Sequence, residues 1–585
     1  MCEKKPESNI FNFSNLTDLE GTKKNTIINS NFEETNKDHN LQICEMKLSL
    51  RKKKLNEKLF SQRKIQIINN KNIDIKKLIN LDQSFISLIS QIQIEIKDEQ
   101  KILLLLRKIS FILSQKYKNK NNEIKHKIFN LTSNDLISNN WIYNLCSIAT
   151  KYLNSSEVIT LLTSILLLSF LIINDYREIN ENKAILNNKN ETVNNNYYFI
   201  SSNNYIDIYN KILSIYLKKN LEISYYMINF IGNIAKNKPE NQFILFSKNT
   251  MQYIIDSIDV KIDTKVSLEQ KIWCLSKFEN RNIYEENLEF SLKVQKIYID
   301  IFVNNEKFEL FKDINGENDE NNFFYNYLKL IENVSYCTET KICENLIKSH
   351  ILEFLINNFF NNKYCEIIYI IIGILMNTTC VDSNLGKDLI DIGVIKYLTL
   401  IITDKSLPLE LQESAFVPIN NFFSDSQLLN RVLIEEKILK LFCSKLNDNN
   451  IIPGIFNEIL FGFYQILFSY SNNNDINNLN ILIDEYYLVQ LVCKAMKQII
   501  QLKKEVKINS LCYRHFCNLI ISLINIKNDV LIKKIIIKFQ NLNGEEILEH
   551  ILSNLNNMEQ SKDILTIINM IDIIKEKIKD IELHL

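Results

Sequence analysis

The segments Ile374-Leu-Met-Asn377-Thr-Thr, Leu389-Ile-Asp-Ile-Gly393-Val-Ile-Lys-Tyr-Leu398 and Leu400-Ile-Ile402 decide the fold. Their apolar residues recur three and four apart, the spacing of one buried face of a helix. The first helix ends in a small polar patch, Asn377-Thr-Thr. A second helix runs to Gly393, where the missing Cβ lets the chain turn sharply, and a third, strongly apolar helix follows.

The same helix type recurs along the chain, with Asn377 as its marker. Equivalent positions are Ser169, Asn233, Lys277, Asn333, Asn420, Gln465 and Asn518, spaced 43 to 64 residues apart. Four of the seven gaps fall within the roughly 40–47 residues of armadillo and HEAT units. The longer gaps hold insertions at Arg177–Asn196 and Phe308–Asn322 and a charged stretch, Gln501–Lys507. The unit around Asn377 resembles the armadillo repeat. The resemblance implies an all-α, right-handed superhelical solenoid of about ten repeats, with each unit burying its apolar stripe on its neighbours. A HEAT array is the alternative, because most units lack an obvious glycine.

Composition agrees. The chain has 585 residues but only 9 Gly and 5 Pro, too few turn residues for a multidomain α/β or β protein, and 46% are hydrophobic. Sixty-nine basic residues balance 69 acidic ones, so any electrostatic function is local and a wholly basic nucleic-acid coat is excluded. The twelve Cys form no C-x-x-C pair, and no apolar leader opens the sequence; reduced thiols in cytosol or nucleus are expected. The most apolar run, Val158–Ile173, is shorter than the roughly 20 residues of a bilayer helix and reads as a buried solenoid helix, with a membrane anchor as the alternative.

Three regions are expected: a polar, disordered arm over 1–45, a basic amphipathic helix over 46–66, and an armadillo domain over 78–580. Between Met46 and Lys64, eight basic residues face one acid, Glu57, with Leu48, Leu55, Leu59 and Phe60 near helical spacing. By itself such a helix suits a solvated surface, a nucleic-acid arm or a membrane surface equally well.

Its position ahead of the repeats resembles importin α, the nuclear-import adaptor family. That family's importin-β-binding segment carries L-R-K-x-K-x-x-E-x-L-L-x-x-R, and here Leu50-Arg51-Lys52-Lys53-Lys54-Leu55-Asn56-Glu57-Lys58-Leu59-Phe60-Ser61-Gln62-Arg63 follows it at nearly every fixed position. Leu106-Arg107-Lys108-Ile109 resembles the family's F-R-K-L, Trp273-Cys274-Leu275-Ser276-Lys277-Phe278 its W-x-L-S-N-L, Glu413–Asn420 its E-A-x-W-x-x-x-N, and Gly232-Asn233-Ile234-Ala235 its G-N-I-A. The resemblance implies an adaptor that binds an importin-β-type carrier through Leu50, Arg51, Lys52, Lys54, Lys58, Leu59, Arg63 and Lys64. Protein cargo bearing a Lys/Arg-rich localisation signal would then lie in the armadillo groove.

In that family Asn amides bind the cargo backbone, and Trp indoles four residues earlier flank the Lys stems. The implied groove positions here are Asn229, Asn233, Trp273, Asn333, Asn377, Phe416, Asn420, Phe461 and Gln465. The ladder is eroded. Ile165/Ser169, Asn229/Asn233 and Trp273/Lys277 stand where Trp/Asn pairs are expected, and Lys277 puts a cation where a basic peptide would lie. Gly373/Asn377, Phe416/Asn420 and Phe461/Gln465 make the C-terminal half the better-preserved groove. The family's autoinhibitory basic cluster corresponds to Asn36–Met46, which holds a single Lys, so weak autoinhibition is expected.

No H-E-x-x-H, G-x-S-x-G or P-loop pattern occurs, and the six His are widely separated, so neither enzyme activity nor a metal or cofactor is expected. The expected role is a nuclear import adaptor of cytoplasm and nucleus, with no direct nucleic acid and no membrane insertion. The alternative is an armadillo interaction scaffold that no longer reads localisation signals.

Overall fold

Among the described residues, ten helices each bury an apolar stripe at helical spacing and stack one on the next. In the computed structural model these are α1 (Glu99–Lys118), α2 (Ser156–Leu186), α3 (Leu221–Asn237), α4 (Lys265–Ser276), α5 (Phe323–Ser335), α6 (Cys365–Thr378), α7 (Leu409–Phe422), α8 (Pro453–Asn472), α9 (Val506–Ile524) and α10 (Lys562–Leu583). The structure describes positions 88, 91, 97–118, 141–186, 203–308, 322–556 and 562–583, except 238, 381–382, 424–427, 430, 436, 449–451, 474 and 502–505. All lie within one unit, Asp74–Leu585. No strand occurs among the described residues. The arm over 1–45 and the basic helix over 46–66 lie outside them, and so do all eight expected carrier-binding residues.

Other described helices back the stack. Between α6 and α7 run Ser383–Asp391 and Val394–Thr403, with Gly393 at φ 96° between them, so this layer is the three-helix unit read from the sequence. The same left-handed junction recurs in other layers on residues that carry a side chain. Asn249 precedes Thr250–Asp256, His350 precedes Ile351–Asn358, Lys437 precedes Ile438–Leu446, Tyr487 precedes Leu488–Gln501, and Asn543 precedes Gly544–Asn556. The fold is an all-α armadillo-like solenoid. The scarcity of glycine that favoured HEAT reflects substitution at this junction; the turn itself is kept.

Hydrogen bonds tie each layer to the next across one repeat length. Asn333 Nδ2 donates to the carbonyls of Ser276 and Phe278 at 3.2 and 3.1 Å, Gln295 Nε2 to Ile342 O at 2.7 Å, and Tyr397 Oη to Phe359 O at 3.0 Å. Ser276, Phe278 and Phe359 lie at or just past helix C-termini, where carbonyls lack intrahelical partners, so these ties satisfy them. Val158–Ile173 lies within α2, most of its apolar side chains buried. No described helix is long and apolar enough to cross a membrane. The first expected insertion begins as a continuation of α2 to Leu186, and the second closes where Asn322 caps α5 through Phe324 N at 2.8 Å.

Candidate functional site

The side of the stack away from the backing helices is marked by half-exposed positions one turn apart. On α6 they are Glu366, Tyr369, Gly373 and Asn377, on α4 Gln270 and Trp273, and on α8 Gly454, Phe461 and Tyr464. Glycines inside these helices form notches that receive a side chain from the neighbouring helix. A Cβ on Gly232 would meet the Trp273 ring at 2.3 Å, one on Gly373 would meet Glu332 Oε1 at 2.4 Å, and one on Gly454 would meet the Glu413 carboxyl carbon at 2.3 Å.

The expected groove residues divide. Asn229, Asn233 and Trp273 are brought together on α3 and α4, but both amides are used within α3. Asn229 Nδ2 donates to Tyr225 O at 2.8 Å and Asn233 Nδ2 to Asn229 O at 2.7 Å. Asn333 is 2% exposed and is spent on the α4 carbonyls, so it works as an interlayer tie. Asn377 Nδ2 reaches across to Ser335 Oγ at 2.8 Å and remains partly accessible.

Phe416 was expected as an aromatic ridge and is instead fully buried, packed on Phe442 with centroids 5.5 Å apart. Glu413, nearly one turn earlier, holds the open position. Asn420 is 1% exposed and donates to Glu458 O at 2.9 Å and Glu458 Oε2 at 3.3 Å. Phe461 keeps a half-exposed place, its ring edge-to-face with His515 at 5.2 Å, and Gln465 is buried beside it on α8. In the first of these layers Ile165 and Ser169 are both fully buried, and Ser169 Oγ accepts from Trp141 Nε1 at 3.1 Å.

Sequence reasoning missed a group of carboxylates. Glu332, notched over Gly373, is held by Lys329 Nζ at 2.7 Å with Glu332 only 3% exposed. Glu413 and Glu458 lie close enough to the Cys512 thiol that their charges add to burial in pushing it up. Exposed or half-exposed Glu366 and Glu410 extend the acidic stretch along α6 and α7. A signal was present for one of them: Gly373 lies inside a helix of a chain with nine glycines, and an interior helix glycine marks a close approach. Gly454, by contrast, follows Pro453 in the first turn of α8 and reads as a turn residue.

Burial pushes the Cys146, Cys443, Cys493 and Cys517 thiols up to about 12, far from a nucleophilic thiolate. No three His, Cys, Asp or Glu side chains among the described residues stand close enough together to hold a metal.

The solved structures similar to this chain are helical. An engineered protein aligns over 84% of this chain and 99% of its own at TM-score 0.51 and 11% identity, a likeness of fold alone. Computationally designed armadillo repeat proteins for modular peptide recognition align over 46% of this chain and 98% of theirs, at 15% identity and TM-score 0.31. A designed armadillo repeat protein in complex with the peptide (KR)4 aligns over 43% of this chain and 96% of its own, at 14% identity and TM-score 0.32. No family model and no curated protein matches the sequence.

Proposed function

We propose that this armadillo-like solenoid is a protein-interaction scaffold that holds an extended Lys/Arg-rich segment of a partner protein along α6–α8. The observation that carries the reading is the Glu413 carboxylate, half-exposed and notched over Gly454 on the open side of the stack. A carboxylate held on a rigid helix against a glycine backbone is pre-organised for an ammonium or guanidinium group, and charge-assisted bonds of this kind are the stronger ones. Aromatic Phe461 on α8 and Tyr369 on α6 offer faces for the alkyl stems of such residues.

Fluorescence anisotropy with a labelled (KR)4 peptide tests the reading. Glu413→Gln is expected to weaken binding about tenfold, and wild-type affinity is expected to fall with salt. Equal affinity in wild type and variant would sink it.

A second, more specific reading is the nuclear import adaptor, working in cytoplasm and nucleus. The match of Leu50–Arg63 to the importin-β-binding pattern favours it. An acid-lined carrier groove would hold the cationic helix while its leucines anchor it. In a pull-down with residues 36–70, recovery of importin β that Arg51→Glu with Lys54→Glu abolishes is the expected result. Failure to recover the carrier leaves the scaffold without the adaptor role.

A further inference from the structure

The notch between α3 and α4 is filled from inside the chain. The six-membered ring of Trp273 lies against Gly232, and Lys277, one turn further on, turns back so that Nζ stands 5.6 Å from the centre of the Trp273 rings. The same ammonium donates to Asn326 Oδ1 at 3.2 Å. That acceptor is itself fixed in place: Asn326 Nδ2 donates to Asn322 O at 3.0 Å, and Oδ1 also accepts from Ser276 Oγ at 2.9 Å. Lys277 is only 6% exposed. A buried ammonium is tolerated only where groups are arranged to receive it, and here an indole face and an oriented amide oxygen do so.

We propose that Lys277 is an internal ligand of Trp273. It occupies a lysine-binding cradle and so closes the α3–α5 stretch of the open side to cationic side chains from a partner. An incoming lysine would have to displace it and would meet a like charge while doing so. The basic residues of a bound segment are thereby confined to α6–α8, which makes Lys277 the specificity-determining residue for where a cationic ligand sits. Confinement rests on the binding reading above; self-occupation of the cradle does not.

Lys277→Met keeps most of the stem and removes the ammonium from the Trp273 face and from Asn326 Oδ1, which still accepts from Ser276 Oγ. The chain has two tryptophans, and Trp141 is fully buried, so a change in tryptophan emission on peptide binding reports Trp273. The variant is expected to bind (KR)4 about tenfold more tightly than wild type, with an emission change that wild type does not show. No gain in affinity overturns the proposal, whether or not wild type binds; so does a gain without an emission change. Lys277→Gln, neutral but still able to donate to Asn326, decides the matter if the Met variant fails to fold. In the Lys277→Met background, Glu413→Gln separates the two claims. A gain that survives it supports the cradle while counting against the α6–α8 stretch.

Discussion

Lys437 and Gly393 do the same job at equivalent junctions, and only one of them suits it. Both turn the chain left-handed, at φ 58° and 96°, where a Cβ crowds the following carbonyl at roughly 1–2 kcal/mol. Lys437 is exposed, so replacing it with Gly removes backbone strain without removing packing. Lys437→Gly is expected to stabilise by about 0.5–1 kcal/mol, less than the strain alone because glycine is also freer when unfolded. Gly393→Ala is expected to destabilise by about 1 kcal/mol, although its Cβ would lie 4.0 Å from its nearest neighbour, Ile356 Cδ1. Paired denaturation midpoints measure both; equal and opposite signs to these would show that the junction is not the strained element. Asn, His, Lys and Tyr at the other junctions explain why a search for glycine found one clear unit. The strain is small enough for the layers to absorb, so the residue type is free to drift.

At the scale of elements, the period of each helix was legible, whereas its rotation about its own axis was not. The marker positions fall on α2, α3, α5, α6, α7, α8 and α9 and at the end of α4, so the repeat lengths were read correctly. Yet Phe416 points inward and Glu413 outward on one helix, and Asn333 ties layers where an accessible amide was expected. A similar tie joins the turn at Ile481–Glu485 to Asp529–Asn541: Lys538 Nζ reaches Asp484 at 2.8 Å and Ile483 O at 3.0 Å, and Lys534 also pairs with Asp484. The hydrogen bonds from Lys534 and Lys538 hold the Asp484 carboxyl below its ordinary 3.8. A depressed folded-state pKa stabilises above the unfolded value, and that stability is lost as pH falls through the folded one. Asp484→Asn is therefore expected to lower the denaturation midpoint at pH 7, with the gap from wild type closing as pH falls below about 4. A gap that stays constant down to pH 3 would show that the carboxylate's charge is not what joins these two elements.

At the scale of the whole unit, every tie described spans about one repeat, so the described residues are held by contacts between neighbouring layers. The same locality lets binding character change along the array. Trp273 fills the notch at α3–α4 with Lys277 over its rings, while Glu413 rests against Gly454 at α7–α8.

The sequence by itself determined the helical class, the repeat length, the stacked helices and the layer built around Gly393, because helical period and unit length are local properties written every few residues. Only the tertiary structure decided which polar side chains are consumed as interlayer ties, which carboxylates rest in glycine notches and which lysine lies on Trp273. Many of those outcomes depend on atoms 38 to 57 residues away, brought close by packing whose rotation no local pattern specifies.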